Sequence, residues 1–241
     1  MTKLSVNVNK LATLRNSRGT NNPNVLTMTL DIIEFGAEGI TVHPRPDGRH
    51  IRTNDVFAIA EAIDVDFNIE GYPSAEFLNL VQQVKPTQCT LVPDAPDVLT
   101  SNAGWAVEQN SRFLQNTVAL LHDVGVRTSL FIDPFHFSAD DLKHLVLTQT
   151  DRVELYTEAY ATRYKKPDYR NVLSQYQQVG ASIQQHNIAL NAGHDLNLDN
   201  LNAFIHAVPN INEVSIGHAL ICDALYYGMD ETIQRYLQCL R

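Results

Sequence analysis

Cysteine is scarce: Cys89, Cys222 and Cys239 are the only three in 241 residues, and no two form a Cys-x-x-Cys pair. An odd, scattered set excludes a disulfide framework and a cysteine-built zinc site, and reads as buried free thiols. Long apolar runs are missing too, with no window near the roughly 18 consecutive apolar residues of a membrane helix. The opening MTKLSVNVNK has no apolar core of the kind a secretion signal needs. The expectation is a soluble, cytoplasmic protein that does not engage membranes. Basic residues are outnumbered, with Lys+Arg 18 against Asp+Glu 27 and a net charge of −9. Nucleic acid wants a basic footprint, so it is excluded as a partner. Neither GxSxG nor GxGxxG occurs, which removes the serine-hydrolase and dinucleotide templates.

What is present is a folded composition, 44% hydrophobic and only 19% charged, against the low hydrophobicity and high charge of disorder. No low-complexity tract or Gly/Ser linker interrupts it, so residues 1–241 are read as one domain. Short β-branched runs recur: Leu4–Val8, Gly39–His43, Phe67–Glu70, Gln88–Val92, Val126–Ile132, Arg152–Tyr156, Ile188–Ala192 and Glu213–Ile216. Between them, helical periodicity predicts helices near 24–35, 53–63, 74–84, 108–124, 139–149, 169–187, 198–206 and 229–240. Asn24, Thr53, Ser74 and Ser138 stand where N-caps belong, and Gly36, Gly125 and Gly180 where helices end. Eight alternating units in this length predict an α/β fold, a single (β/α)8 barrel; a doubly wound sheet is the competitor.

A barrel of this kind builds its site from the C-terminal ends of its strands. There lie Asn7 and Asn9, His43, Glu70, Asp94, Asp133, Tyr156, Asn191 with His194, and Gly217 with His218. Period-2 alternation puts Ser5, Asn7 and Asn9 on one face, Thr41 and His43 on one face, and Asn68 and Glu70 on one face. The opposite faces are apolar and belong under the helices, so these polar sets point inward. Buried ionisable groups are costly unless used or paired, which marks His43, Glu70 and His194 as candidates for proton transfer.

The stretch HPRPDGRHI (43–51) adds Arg45, Arg49 and His50, a compact anion-binding loop stiffened by prolines. A solvated charged turn is the plainer alternative. Arg15 and Arg18 form a weaker pair in the segment after the first strand. In SIGHAL (215–220), a glycine before a helix start exposes backbone N–H groups to an anion. Lysine is missing from the ends of strands two to eight, which argues against a Schiff-base mechanism; Lys10, in a loop after strand one, is the sole candidate. No His-x-His pair or other ligand spacing demands a metal.

These segments, VNVNKLATLRNSRG, GITVHPRPDGRHI, FNIEG, LVPD, TSLFID, LNAGHDL and SIGHALI, run in order along nearly the whole chain. Together they resemble the pyridoxine 5′-phosphate synthase family of the deoxyxylulose-dependent vitamin B6 route. The resemblance implies a (β/α)8 barrel with a few extra short helices, assembling as a homo-octamer, a tetramer of dimers. It implies condensation of 3-amino-2-oxopropyl phosphate with 1-deoxy-D-xylulose 5-phosphate, two small phosphorylated substrates, with no metal and no organic cofactor. By matching position it implies His43 and Glu70 as proton acceptors and His194 as proton donor. Asn7, Arg18, Gly217, His218 and the backbone of Asp195 would hold the aminoketone phosphate. Arg45, His50 and Thr100, with Asn9 and Lys10, would hold the deoxyxylulose phosphate, and the segment from Pro93 to about Trp105 would close over the site.

Two positions depart from the pattern. Asn9-Lys10 stands where many members carry Asp-His, and Asp195 stands where many carry Gly. A carboxylate at 195 would repel phosphate unless turned away. Two other readings stay open on the residues: another phosphorylated-sugar isomerase or lyase barrel, and a non-catalytic phosphate-binding barrel. The apolar Ala219–Gly228 segment suits an interface, a lid or plain packing.

Overall fold

A computed structural model of the chain describes residues 1–94 and 103–241. Eight parallel strands close on themselves in chain order, each bonded to the next and the last to the first. They are β1 (Lys3–Asn7), β2 (Gly39–Val42), β3 (Asp66–Gly71), β4 (Gln88–Leu91), β5 (Arg127–Ile132), β6 (Arg152–Tyr156), β7 (Ala189–Gly193) and β8 (Ile211–Ile216). The first helices are α1 (Asn9–Asn16), α2 (Val25–Glu34), α3 (Thr53–Ala62), α4 (Ala75–Val84), α5 (Val107–His122) and α6 (Ala139–Thr148). The remainder are α7 (Glu158–Arg163), α8 (Tyr169–Gln184), α9 (Leu201–Ala207), α10 (His218–Tyr227) and α11 (Met229–Cys239). The barrel expected from the sequence is therefore the fold.

The outward residues Leu4, Val6, Ile40, Val42, Ile69, Leu130, Val153, Leu155, Leu190 and Val214 are all fully buried beneath the helices, each worth roughly 1.5–3 kcal/mol of burial. The inward face is polar, as alternation predicted. Ser5 Oγ and Thr41 Oγ1 lie 2.8 Å apart, Asn68 Nδ2 donates to Thr41 Oγ1 at 3.4 Å, and Thr90 Oγ1 donates to Asn68 Oδ1 at 3.0 Å. At the foot of the barrel, Lys3 and Arg127 reach Asp66 at 3.0 and 3.5 Å, and Arg152 reaches Glu213 at 3.5 Å. Burial pushes the Glu213 carboxyl up, against the pull of Arg152 and Arg127.

Local signals held at three of the four caps: Asn24 accepts from Thr27, Ser74 from Phe77 and Ser138 from Asp141. Thr53 is instead the first helical residue, because Asp55 accepts the N–H of Arg52 at 2.8 Å and moves the cap one place back. Gly36 and Gly125 leave their helices with φ of 112° and 81°, the left-handed geometry that favours glycine. Gly180 corrects the expectation: it lies inside α8, where a Cβ would meet Leu190 Cδ1 at 3.0 Å, so it allows α8 to approach β7 closely. Of the cysteines, Cys89 is buried while Cys222 and Cys239 are half-buried.

Three helices lie beyond the eight that periodicity placed, as the expectation of a few extra short helices allowed. α1 occupies the place assigned to a loop, so Lys10 sits in a helical first turn. α7 has only six residues. α10 makes Ala219–Gly228 helical, with Leu225, Tyr226 and Tyr227 exposed and Leu220 buried. No helix among the described residues is long and apolar enough to cross a membrane.

Candidate active site

The C-terminal ends of the strands open into a cavity of about 540 Å³. His43, Glu70 and His194 all line it, as do Asn7, Asn9, Lys10, Arg45 and His50. Asp195, Gly217 and His218 complete the set expected from the sequence. Arg18 is not brought there; it is exposed just beyond α1. Thr100 and most of the 93–105 segment lie outside the described residues.

Each wall has a local cause. β1 ends at Asn7, whose Oδ1 accepts the N–H of Asn9 at 3.0 Å. Asn9 Oδ1 in turn accepts the N–H of His43 at 3.0 Å, continuing the β1–β2 contact where the ladder stops. The amide at position 9 therefore holds the backbone that carries His43. His43 Nδ1 stands 3.6 Å from Glu70 Oε2, with both side chains largely buried.

His50 presents a defined tautomer. Its Nδ1 accepts the N–H of Ile51 at 2.9 Å, so in the neutral ring the hydrogen is on Nε2. Burial, reinforced by His43, Arg45 and Lys10, pulls this imidazole down to about 4. His50 is thus a neutral hydrogen-bond donor at physiological pH. The loop is stapled from α1: Arg15 is buried, donates to Asp55 Oδ2 at 2.9 Å and to the His50 carbonyl at 3.2 Å. Arg15 therefore serves the loop rather than an anion. Arg49 pairs with Asp47 at 2.8 Å, and Arg45 Nη2 with Asp94 Oδ2 at 2.8 Å. Arg15, Arg45 and Arg49, read from the sequence as candidates for anion binding, are thus each paired with an aspartate.

His194 follows β7 with φ of 88°, a backbone state costing about 1–3 kcal/mol for a non-glycine residue and found most often at functional positions. Its ring meets Tyr156 edge-on at 5.5 Å, and its Nδ1 lies 3.0 Å from Asp195 Oδ2. Burial lowers the His194 imidazole, but the hydrogen bond and charge of Asp195, with Glu70 and Asp94 beyond, outweigh it and hold it above its usual range. The N–H of Asp195, expected at phosphate, points at Thr157 Oγ1 at 3.3 Å.

Among the described residues, six in the wall lie outside the expected set, Val92, Phe131, Glu154, Asn197, Ser215 and Ala219, and Glu154 is the ionisable one. Glu154 projects inward from β6, its Oε2 buried with no hydrogen-bond partner among the described residues. Burial, then the charges of Glu70 and Glu213, raise its carboxyl well above the ordinary range. That environment favours its protonated form, the one that can donate to an oxygen in the cavity. The signal was in RVELY, where Glu154 alternates with Val153 and Leu155.

Two helix N-termini, those of α1 and α10, open at the cavity through Asn9, Lys10, Gly217 and His218. Neither has an acidic residue in its first turn, as suits sites for anionic groups. Among the described residues no group of three His, Cys, Asp or Glu side chains is placed to hold a metal ion.

The chain is 53% identical to a pyridoxine 5′-phosphate synthase from Porphyromonas gingivalis over 236 residues, 98% of either protein. It is 52% identical to one from Bacteroides fragilis over 241 residues, the whole of both. Among solved structures, tryptophan synthase subunit alpha from Legionella pneumophila shares the fold at 12% identity, with a TM-score of 0.66 over 99% of this chain and 92% of that one. The family described as pyridoxal phosphate biosynthesis protein PdxJ matches residues 4–241, and the chain belongs to that family.

Proposed function

We propose that the chain is a pyridoxine 5′-phosphate synthase, joining 3-amino-2-oxopropyl phosphate to 1-deoxy-D-xylulose 5-phosphate with release of inorganic phosphate and water. The observation that carries the reading is the facing of His43 and Glu70, 3.6 Å apart, by His194 across one cavity with two helix N-termini at its rim. The amine of one substrate and the ketone of the other form an imine between themselves, so no lysine nucleophile is needed. Eliminating water and phosphate and closing the ring then require proton removal on one side and proton delivery on the other. His43 and Glu70 take protons, and His194, whose cation Asp195 favours, returns one to the departing oxygen. His50, neutral at physiological pH, donates a hydrogen bond without changing charge, and Glu154 adds a carboxyl whose surroundings favour its proton.

The N-termini of α10 and α1, with Gly217, His218, Asn7 and Lys10, suit the phosphates, and Arg45 with His50 suits the second substrate. Arg18 and Thr100 keep the phosphate roles the resemblance implies. A homo-octamer in the cytoplasm completes the reading, supported by the exposed Leu225, Tyr226 and Tyr227 on α10 and Leu14 on α1; light scattering measures it.

Incubating the protein with both phosphorylated substrates should yield pyridoxine 5′-phosphate and phosphate in step. Glu70→Gln should still bind both and lose turnover by about 10²–10⁴-fold. Binding without product by the natural chain would sink the proposal.

A further inference from the structure

We propose that Asp195 is a positioning residue for His194, fixing its ring and keeping Nδ1 protonated so that the proton exchanged with substrate is the one on Nε2. The proposal rests on the reading of His194 as proton donor only for its kinetic test.

The geometry around residues 193–195 is over-determined. Thr157, fully buried at the end of β6, donates through Oγ1 to the Gly193 carbonyl at 2.6 Å and accepts the N–H of Asp195 at 3.3 Å. His194 N–H donates to the Ser215 carbonyl at 3.3 Å, and Asn200 Nδ2 to the Asp195 carbonyl at 3.3 Å. Asn200 is itself buried and accepts the N–H of Asn197. These bonds hold His194 at φ of 88°. They also bring two neighbouring side chains onto the same side, where Oδ2 accepts from Nδ1 at 3.0 Å. With the Tyr156 edge contact, the ring is fixed at one nitrogen and one face. A histidine whose Nδ1–H is bound by a carboxylate has a defined tautomer and a stabilised cation, the second partner that proton-transferring histidines commonly carry.

Other charges face the same ring. Glu70 on β3 and Asp94 after β4 favour its cation, yet each has its own partner, His43 and Arg45 respectively. Lys10, Arg45, His43 and His218 line the same cavity, where the fixed cations Lys10 and Arg45 disfavour a further positive charge. Asp195 is the carboxylate in direct contact with the imidazole, through Oδ2, while it also lines the cavity.

The test uses full-length Asp195→Asn and Asp195→Ala proteins, with histidine NMR titration of His194 without substrate and the pH profile of kcat with both substrates. In each variant the His194 midpoint should fall by about one unit, and the alkaline limb of kcat should move to lower pH with it. KM for both substrates should change less than kcat. The amide side chain of D195N still offers an oxygen to Nδ1–H, so this variant should keep about tenfold more activity than D195A. An unmoved His194 midpoint in D195N overturns the proposal. A shifted midpoint in a chain whose natural form makes no product supports it and removes the synthase reading instead.

Discussion

Arg45 and Asp94 form an ion pair at the cavity wall, Nη2 to Oδ2 at 2.8 Å, with both side chains buried. Removing one member of such a pair strands the other charge away from water, which costs about 3–5 kcal/mol. Arg45→Ala and Asp94→Ala are each expected to lose stability on that scale in urea unfolding. The double variant should cost clearly less than the two together. Additive losses would show that the pair is not coupled. Arg45→Ala should in addition raise KM for a phosphorylated substrate.

Glu154 gives the protein a pH signature. Its buried carboxyl keeps a proton well above the ordinary 4.5, whereas the unfolded chain gives that proton up. The folded state then binds more protons, so this contribution to stability is complete below about pH 4.5 and drains away as pH rises toward the folded value. Glutamine does not titrate. The stability of Glu154→Gln relative to the natural chain should therefore climb as pH rises above about 4.5, by up to about 1.4 kcal/mol per unit, and level off once the folded carboxyl ionises. Thermal melts across that range measure it, and a flat difference would mean the carboxyl is ionised in the folded chain.

Trp105 is the only tryptophan in the chain. Its indole N–H donates to the Leu91 carbonyl at 2.9 Å and its backbone N–H to the Phe131 carbonyl at 2.9 Å. Gly104 precedes it so closely against β5 that a Cβ would overlap the backbone of Ile132 and Asp133. Gly104→Ala should destabilise the protein by about 1–3 kcal/mol and shift Trp105 fluorescence to the red as the indole leaves its buried seat. Unchanged emission and stability would show that the segment has room to move.

The barrel was legible because its strands are short β-branched runs whose polar residues fall on one face, and the Ser5, Thr41, Asn68 and Thr90 ladder is that alternation in three dimensions. The helices α1 and α7 escaped because each buries few apolar residues, and α10 because its sequence is apolar on nearly every side. α9 begins later than periodicity suggested, since the Asn197 side chain accepts from Asp199 and Asn200 and makes a turn there instead. In the site, the strand-end histidines and Glu70 were visible from position alone. What no local pattern could show was pairing across the barrel: Arg15 with Asp55 and Arg45 with Asp94 meet over separations of 40 and 49 residues. Glu154 was within reach of the alternation rule and was hidden only by the apolar residues on either side of it.

The foot of the barrel bears on redesign. Asp66 opens β3 in the Lys3 and Arg127 network, while Glu70 lies near the other end of the same strand at the cavity; three residues lie between them, four strand steps or about 13 Å. Anchorage and chemistry are thus written on the same short strands but at opposite termini. A mutational library confined to the upper ends can explore new substrates while the lower ends go on holding the cylinder closed.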